Sequence, residues 1–425
     1  MTIIAADTSL DAVDPTISGL IQMEAERQHD TLEMIASENH TLPAVMQAVG
    51  SVLTNKYCEG YPGKRYYSGC RYYDDVERIA IDRACKLFNC SYANVQPHSG
   101  ASANLAVQFA LLEPGDTFAA IELSEGGHLT HGSPVNISGK WLKPVTYRLV
   151  EDESRTDYGA IDLESVEKVV AEHKPKIIMC GYSAHPKVID FAGFRKIADK
   201  YGCILWADIA HIAGLVAGGA HPSPFPHCHV VTTTTHKTLR GPRGGLILTN
   251  DEDLAKKFDK AVFPGTQGGP LMHVVAGKAV CFGEAAKADF KAYARQTVAN
   301  AAALADSLKR RGYKLAANGT ENHLLLIDLR PSMPDVTGKQ AAVWLEHAGI
   351  IGNMNTVPGD SRPPFQTSGI RLGTPALTTR GLGEAEMDDV AELIHRTLSS
   401  GGDEQKLAAI AEESRQLANR FPLPH

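Results

Sequence analysis

The sequence has no apolar run long enough to cross a membrane and no excess of positive charge. Its longest weakly polar stretch, "IAHIAGLVAGGA" (residues 209–220), is short and glycine-rich, whereas a membrane-spanning helix needs about 20 apolar residues. The 42 lysines and arginines are outnumbered by 49 acidic residues, so the net charge is -7. This charge disfavours non-specific binding to nucleic acid or to an anionic membrane surface. We therefore expect neither of these partners.

Cysteine pairs typical of redox or zinc motifs are also missing. The eight cysteines include no CxxC pair, and the first residues, "MTIIAADTSLDAVDPT", carry no basic segment like that of a secretory signal. We expect reduced thiols, mostly filling the core of a cytoplasmic protein. The histidines of "HCH" (residues 227–229) resemble a metal-binding pair. However, isolated histidines of this kind are more often core or surface residues than ligands, so no metal site is expected.

The order of apolar patterns predicts three regions in a chain of 425 residues without internal repeats. Residues 1–50 form an N-terminal helical arm, in which Asp14 is the N-cap and Pro15 the first helical residue. The apolar residues that follow at helical spacing are Ile17, Leu20, Ile21, Ala25 and Leu32. Residues 51–286 alternate helices with nearly continuous apolar strands, which predicts a large α/β domain with a mostly parallel sheet. Residues 287–425 combine a long alanine-rich helix, short strands and two amphipathic helices, which indicates a smaller α+β domain.

Four polar sites fall at the ends of predicted strands, where α/β sheets bind their ligands. Ser99 and Gly100 precede a helix whose free N–H groups suit a phosphate. Ser183 ends "IIMCGYS", Asp208 ends "CILWAD", and Lys237 ends the strand of "VVTTTTHKTLRGPRGG". Each signal alone is more often an ordinary cap, turn or surface residue. Together they suit a phosphorylated pyridine aldehyde, which needs a lysine for a Schiff base, a carboxylate for the ring nitrogen and a phosphate cradle.

Eight long motifs identify the chain as resembling one family of enzymes. The sequence closely resembles serine hydroxymethyltransferase, a family of fold-type I pyridoxal-phosphate enzymes, from about Asp14 to the C-terminus. The motifs are "MIASEN", "LTNKYCEGYPGKRYY", "ANVQPHSG", "GGHLTHGSPVN", "ADIAHIAGLVA", "VVTTTTHKTLRGPRGG", "VFPGTQGGPLMH" and "TSGIRLGTPA". The resemblance implies retro-aldol transfer of the hydroxymethyl carbon of L-serine to tetrahydrofolate, which gives glycine and 5,10-methylenetetrahydrofolate.

The resemblance also implies a role for each matching residue. Lys237 would form the Schiff base, Asp208 would face the pyridine nitrogen, and His128 would stack on the ring. The remaining cofactor contacts would be Ser99, Gly100, Ala101, Ser183, Thr234, His236 and His211, the last of which lies beside the ring oxygen and counts as catalytic. Arg371 and Ser37 would bind the substrate carboxylate, for which the guanidinium offers a bidentate fork. Many relatives have a serine in place of Ala101, so one hydroxyl donor would be absent.

A second set of residues would act across a subunit interface. By resemblance, Glu59 is the acid/base at the substrate hydroxyl, Tyr57 and Tyr67 face substrate or cofactor, and Gly268 and Gly269 touch the partner's phosphate. The implied assembly is a homodimer or a dimer of dimers with composite sites. Folate contacts of the family fall near Leu123, Gly127, Leu129 and Asn355.

Several positions depart from the family pattern, and the choice of substrate stays open at this stage. The chain has His185 where relatives usually have tyrosine, Met354 in place of lysine, and Gln366 in place of valine; Ser68 and Arg71 also differ. Retro-aldol cleavage needs no α-proton, so 2-methylserine, which would give D-alanine, is an alternative substrate. Another fold-type I activity, such as threonine aldolase or aminotransferase, is opposed by the folate motifs. A non-catalytic scaffold or RNA-binding protein is opposed by the intact Lys237 and by the charge.

Overall fold

A seven-stranded sheet forms the centre of the computed structural model, which describes residues 8–423. Six strands run in one direction, and only Gly245–Thr249 runs antiparallel to its two neighbours. This confirms the expected mostly parallel sheet. In spatial order the strands are Tyr92–Asn94, Gly245–Thr249, Val230–Thr234, Ile204–Asp208, Ile177–Cys180, Thr117–Ile121 and Lys143–Tyr147.

Helices cover both faces of this sheet, because its strands are apolar on both sides. Successive residues of one strand enter different hydrophobic clusters: Leu205 belongs to one cluster and Trp206 to the other. The helices on the Leu205 face are Arg71–Phe88, Leu163–His173, Phe191–Tyr201 and Met272–Ala285. The helices on the Trp206 face are Gly100–Leu111 and Glu252–Lys260. Burial on both faces explains why the strands read as unbroken apolar runs.

A separate antiparallel sheet of four strands lies in the C-terminal region. Its strands, in spatial order, are Lys314–Leu315, Leu324–Asp328, Gly369–Gly373 and Asn353–Asn355. The helices of this region are Ala288–Arg310, Gly338–His347, Pro375–Arg380, Glu386–Ser399 and Glu404–Asn419. They form their own hydrophobic cluster with the sheet. The parallel pair Leu32–Glu33 and Ile350–Ile351 joins the N-terminal segment to this unit.

The N-terminal arm begins as the sequence predicts. Helix Pro15–Asp30 is capped by Asp14, whose Oδ1 accepts a hydrogen bond of 3.0 Å from the Ile17 N–H. Leu32, expected on the same helical face, instead lies on a strand beyond the helix end. The apolar face of the helix stays uncovered in the single chain, since Leu20 and Ile21 are each 56% exposed.

The remaining elements are short. They are the helices Leu10–Val13, Pro43–Val49, Ile137–Trp141 and Ala213–Ala217, the single turns Val52–Asn55, Leu123–Glu125, Leu129–His131, Ala261–Thr266 and Ala316–Asn318, and the hairpin strands Gly60–Tyr61 and Lys64–Arg65. All eight cysteines are free thiols. No helix within residues 8–423 is both long and apolar enough to span a bilayer. Residues 1–7 of the expected arm, and residues 424–425 of the expected C-terminal domain, lie outside the described part of the chain.

Candidate active site

One cavity of about 300 Å³ lies beyond the carboxyl ends of the parallel strands. Asp208 is the last residue of its strand, while Ser183 and Lys237 each come three residues after a strand end. The structure therefore brings the four sites singled out in the sequence around one space. The lining residues are His98, Ser99, Gly100, Ala101, Asn104, His128, His131, Tyr182, Ser183, Asp208, Ala210, His211, Thr234, His236, Lys237, Arg243 and Gly244.

The Ser99–Gly100 corner has the features of a phosphate cradle. Ser99 is the N-cap of helix Gly100–Leu111, and its Oγ accepts a bond of 3.1 Å from the Ser102 N–H. A Cβ at Gly100 would lie 2.6 Å from Thr234 Cγ2, and one at Gly245 would lie 2.3 Å from the Ser99 carbonyl oxygen. Two glycines thus let three chain segments meet at a helix N-terminus, whose free N–H groups attract anions.

Asp208 is a buried carboxylate that the protein keeps ionised. Its Oδ2 accepts bonds from Asn104 Nδ2 at 2.8 Å and from His131 Nε2 at 3.0 Å, and its Oδ1 accepts from the Ala210 N–H at 3.0 Å. Burial alone would raise the pKa of Asp208. The hydrogen bond and charge of His131, the nearby His128 and the Asn104 amide outweigh burial and hold this pKa below its ordinary value.

A hydrogen-bond chain also fixes the tautomer of His128. Asn104 Nδ2 donates to Thr130 Oγ1 at 2.9 Å, so the Thr130 hydroxyl is free to donate to His128 Nδ1, 2.7 Å away. The Thr130 N–H also points to this nitrogen at 3.2 Å, which places the ring proton on Nε2. Burial, assisted by the charge of His131, lowers the pKa of His128 to about 4. The ring is therefore neutral at physiological pH.

Lys237 lines the cavity and has an amine of lowered pKa. Burial lowers its pKa from 10.5 to about 8; the Asp208 carboxylate opposes this change, whereas Arg371 and Arg243 add to it. A useful fraction of the amine is therefore unprotonated near neutral pH. Asn39 fixes the backbone here, because its Nδ2 donates to the Lys237 carbonyl at 3.1 Å.

Two buried histidines face each other at the edge of the cavity. His211 Nδ1 lies 3.3 Å from His323 Nε2, and the His211 carbonyl accepts a bond of 2.8 Å from Thr238 Oγ1. Burial, with the charges of Lys237 and Arg371, lowers the pKa of both rings, that of His323 to about 3. His211 thus presents a neutral imidazole to the cavity.

Arg371 connects the four-stranded sheet to the cavity rim. It lies on strand Gly369–Gly373, is 9% exposed, and donates from Nη1 to the Ser183 carbonyl at 2.7 Å and from Nε to Asn353 Oδ1 at 3.2 Å. Ser37 follows Ala36, which packs so closely on Gly373 that a Cβ there would lie 2.5 Å from Ala36 Cα. Arg371 and the segment of Ser37 therefore approach the rim from the same side.

The expected interface residues lie together and do not line this cavity. A Cβ at Gly269 would lie 3.0 Å from Tyr57 Cε1, and one at Gly268 would lie 3.5 Å from Glu59 Oε1. The rings of Tyr57 and Tyr67 have centroids 5.4 Å apart. None of these five residues lines the cavity of their own chain. They form a separate patch, in which Tyr57 is 62% exposed.

The expected folate residues lie around an exposed edge near the same strand ends. Leu123 and Leu129 are 39% and 51% exposed. Gly127 approaches Leu123 closely, since a Cβ there would lie 3.2 Å from Leu123 Cα. Asn355 is joined to this edge by its neighbour Thr356, whose Oγ1 donates to the Ser124 carbonyl at 3.3 Å.

None of the three suspected specificity positions lines the cavity. His185 is buried and packs its ring on Tyr182, with centroids 4.8 Å apart. Gln366 is exposed on a loop, and Met354 pairs with Ile370 on the edge strand. Their positions give no support to a remodelled substrate pocket.

The cavity matches the needs of pyridoxal phosphate. Buried ring nitrogens without a partner among the described residues, His98 Nε2 and His236 Nδ1, belong to cavity-lining side chains. A phosphate cradle, an ionised Asp208 and an amine of lowered pKa surround the same space. The mostly parallel sheet and this set of groups define a pyridoxal-phosphate enzyme of fold type I.

Comparisons with known proteins agree. The family model described as serine hydroxymethyltransferase matches residues 10–394. Proteins named serine hydroxymethyltransferase from Synechococcus sp. (strain JA-3-3Ab) and Microcystis aeruginosa are each 57% identical to this chain; the alignments cover 98% and 99% of it and 97% of each relative. A relative of that name from Methylobacterium sp. (strain 4-46) is 56% identical over 98% of this chain and 96% of its own. The chain belongs to the serine hydroxymethyltransferase family.

Membership confirms the activity and cofactors expected from the sequence. The family is pyridoxal-phosphate dependent, uses tetrahydrofolate as co-substrate and transfers the hydroxymethyl group of serine. The residues of the site that sequence reasoning missed include Asn104, Thr130, His131 and His323. "GGHLTHG" contains His131 three residues after His128, and Asn104 is a polar residue in an apolar helix. Both were visible signals.

Proposed function

We propose that the cavity described above is the active site and that L-serine, rather than 2-methylserine, is the preferred substrate. The observation that carries the active-site assignment is the pairing of a buried, ionised Asp208 with Lys237, an amine of lowered pKa, across one cavity. The preference for serine is supported by the relatives named serine hydroxymethyltransferase. Pyridoxal phosphate, when bound, supplies an aldehyde for a Schiff base and a ring that accepts the electrons of the broken bond.

The protein's own groups would then divide the work of holding that ring. Asp208 would keep a proton on the ring nitrogen, since its pKa lies below the ordinary value and its carboxylate is ionised at neutral pH. Lys237 would provide the amine, a fraction of which is unprotonated near neutral pH. His128 and His211, both neutral, would contact the ring without adding positive charge. The backbone N–H groups after Ser99 would receive the phosphate. Ala101, Ser183, Thr234 and His236 complete the enclosure.

Arg371 is proposed to bind the substrate carboxylate, with Ser37 as a second contact. Its hydrogen bonds to Ser183 and Asn353 use Nη1 and Nε. These bonds orient the guanidinium, and within the described residues Nη2 keeps its N–H groups for a carboxylate. A fixed fork of this kind binds a carboxylate at two points. Burial lowers the pKa of Arg371 to about 10, which still leaves it charged at neutral pH.

We further propose that two copies of the chain build each site. Glu59 and Tyr57 lie in the patch with Gly268 and Gly269, apart from the cavity of their own chain, so they are available to a partner's cavity. The uncovered apolar face of helix Pro15–Asp30 supports the same assembly, because a second subunit would bury it. In such a homodimer or dimer of dimers, Glu59 would exchange the proton of the substrate hydroxyl, Tyr67 would face the substrate, and the edge at Leu123 and Asn355 would bind folate.

The chain is also proposed to have the three regions expected from the sequence, in a cytoplasmic protein. The two sheets, each with its own hydrophobic cluster, support a large domain over residues 51–286 and a small domain over residues 287–425. Eight free thiols suit a reducing compartment.

The test is turnover of serine against 2-methylserine with tetrahydrofolate. One unaccommodated methyl changes kcat/KM by roughly 10- to 200-fold, so we expect serine to be favoured by such a factor. His185→Tyr is the matched control and should leave the ratio unchanged, because the ring lies outside the cavity. Turnover of 2-methylserine to D-alanine at a rate equal to that of serine would contradict the proposal.

A further inference from the structure

Lys278 is a buried lysine that lies directly behind the wall of the cavity. It belongs to helix Met272–Ala285 and is 1% exposed. Its Nζ donates three hydrogen bonds, to the carbonyls of Val95 at 2.7 Å, Pro97 at 3.0 Å and Gly245 at 2.9 Å. All three protons of the ammonium are thus used on backbone oxygens.

The three carbonyls belong to the two segments that shape the Ser99–Gly100 corner. Pro97 precedes this corner by two residues, and its carbonyl also accepts the Gly245 N–H at 3.0 Å. Gly245 in turn abuts the Ser99 carbonyl. Removing the ammonium would leave three buried carbonyl oxygens without this donor, next to the N-terminus of helix Gly100–Leu111.

In the described part of the chain, the charge of Lys278 has no counter-ion in direct contact. Among residues 8–423, no carboxylate forms an ion pair with it, and its nearest acidic influence, Glu77, is engaged by Arg65 Nη2 at 2.5 Å and Gln96 Nε2 at 2.7 Å. A Cβ at Gly244, which lines the cavity, would lie 2.9 Å from Lys278 Nζ. Burial lowers the pKa of Lys278 to about 7, an effect that a nearby anion would reverse.

We propose that Lys278 is a positioning residue for the cofactor phosphate. The Lys278 ammonium fixes the Ser99–Gly100 cradle, and its positive charge favours a dianionic phosphate there. The inference rests on the proposed function, which takes Ser99–Gly100 as the phosphate site. Lys278 would touch neither cofactor nor substrate and would act through the backbone carbonyls of Val95, Pro97 and Gly245.

The test compares two ligands that differ only in the phosphate. Apoprotein is titrated with pyridoxal phosphate and with pyridoxal, and binding is followed by tryptophan fluorescence. We expect Lys278→Met to weaken pyridoxal phosphate on the order of 10- to 100-fold, as for a lost charge-assisted interaction, and to weaken pyridoxal far less. Phosphorus NMR of the bound cofactor should show a shifted phosphate signal.

Arg380 provides a matched control, because it is another buried cation whose hydrogen bonds within residues 8–423 all go to carbonyls. It is 5% exposed and donates to Phe421, Gln28, Thr31, His29 and Ala418. None of these partners lines the cavity. Arg380→Met should therefore lower thermal stability and leave the preference for pyridoxal phosphate over pyridoxal unchanged.

Three outcomes would overturn parts of this scheme. Equal weakening of both ligands by Lys278→Met would refute a role toward the phosphate. Lys278→Gln keeps hydrogen-bond donors without charge and provides a second variant if the methionine form does not fold. If Lys278→Gln kept the wild-type preference for pyridoxal phosphate over pyridoxal, the proposed effect of the positive charge would be refuted. A wild-type protein without any preference for the phosphorylated ligand would instead refute the proposed cradle itself.

Discussion

Replacing Lys237 by methionine should make the cofactor-free protein more stable at neutral pH. The side chain is largely enclosed, and burial lowers its pKa from 10.5 to about 8. Methionine fills similar space without a charge. The variant therefore removes the cost of holding an ammonium in the cavity while it keeps most of the packing.

The magnitude and its pH window follow from this pKa. A folded-state pKa below the unfolded value means that the unfolded chain binds the proton more tightly, so folding is penalised wherever the amine is protonated. At 1.36 kcal/mol for each pKa unit, the drop from 10.5 to about 8 corresponds to at most about 3 kcal/mol. The penalty is complete below about pH 8, shrinks as the pH rises, and is gone by about pH 10.5.

Urea denaturation of the apoprotein at several pH values measures this difference. We expect Lys237→Met to exceed the wild type in free energy of unfolding by up to about 3 kcal/mol at pH 7, with the gap closing toward pH 10. Lys291→Met, on the exposed face of helix Ala288–Arg310, is the matched control and should show no such window. A destabilised Lys237→Met protein, or a gap independent of pH, would refute the reasoning.

Two further predictions concern Asp208 and the subunit interface. In Asp208→Asn, the side chain offers only one oxygen to the donors of Asn104, His131 and the Ala210 N–H, so at least one donor meets an NH₂ group. We expect a loss of about 1–3 kcal/mol in apoprotein stability and at least about a 10-fold lower kcat. An unchanged kcat would contradict the assigned role. Mixing Glu59→Gln subunits with Lys237→Ala subunits places both lesions in one composite site and leaves the other intact, so activity absent from either parent should return. No recovery after verified subunit exchange would show that Glu59 does not act across an interface.

The sequence predicted those parts of the site that depend on local pattern. Asp208, Lys237 and Ser99 each follow an apolar strand, and parallel strands place such residues along one edge of a sheet. Arg371 and Glu59 gave no comparable local signal, and only the family resemblance indicated them. Arg371 lies on a short strand of the second sheet and reaches the cavity through the packing of two regions.

Residues that act through other residues were not predicted. Asn104 looks like one polar interruption of an apolar helix, and Lys278 like a lysine out of place in "VVAGKAVCF". Their proposed roles rest on contacts with distant atoms, namely Asp208 Oδ2 at 2.8 Å for Asn104 and three carbonyls for Lys278. Spacing along one element cannot give this information. A buried polar residue in an apolar helix is still a usable signal, because it must have partners.

The charges around the cavity indicate why a site of this composition is costly to fold without its ligands. Lys237 and Arg371 are cations of lowered pKa, and Lys278 stands behind the cradle, whereas Asp208 is the buried carboxylate whose ionisation the cavity favours. The same positive field contributes to the lowered pKa of His211. A dianionic phosphate and a substrate carboxylate would compensate these charges, so ligand binding and folding are coupled through them. The stability gained by Lys237→Met should therefore be confined to the apoprotein, because the wild type recovers the difference when the cofactor binds.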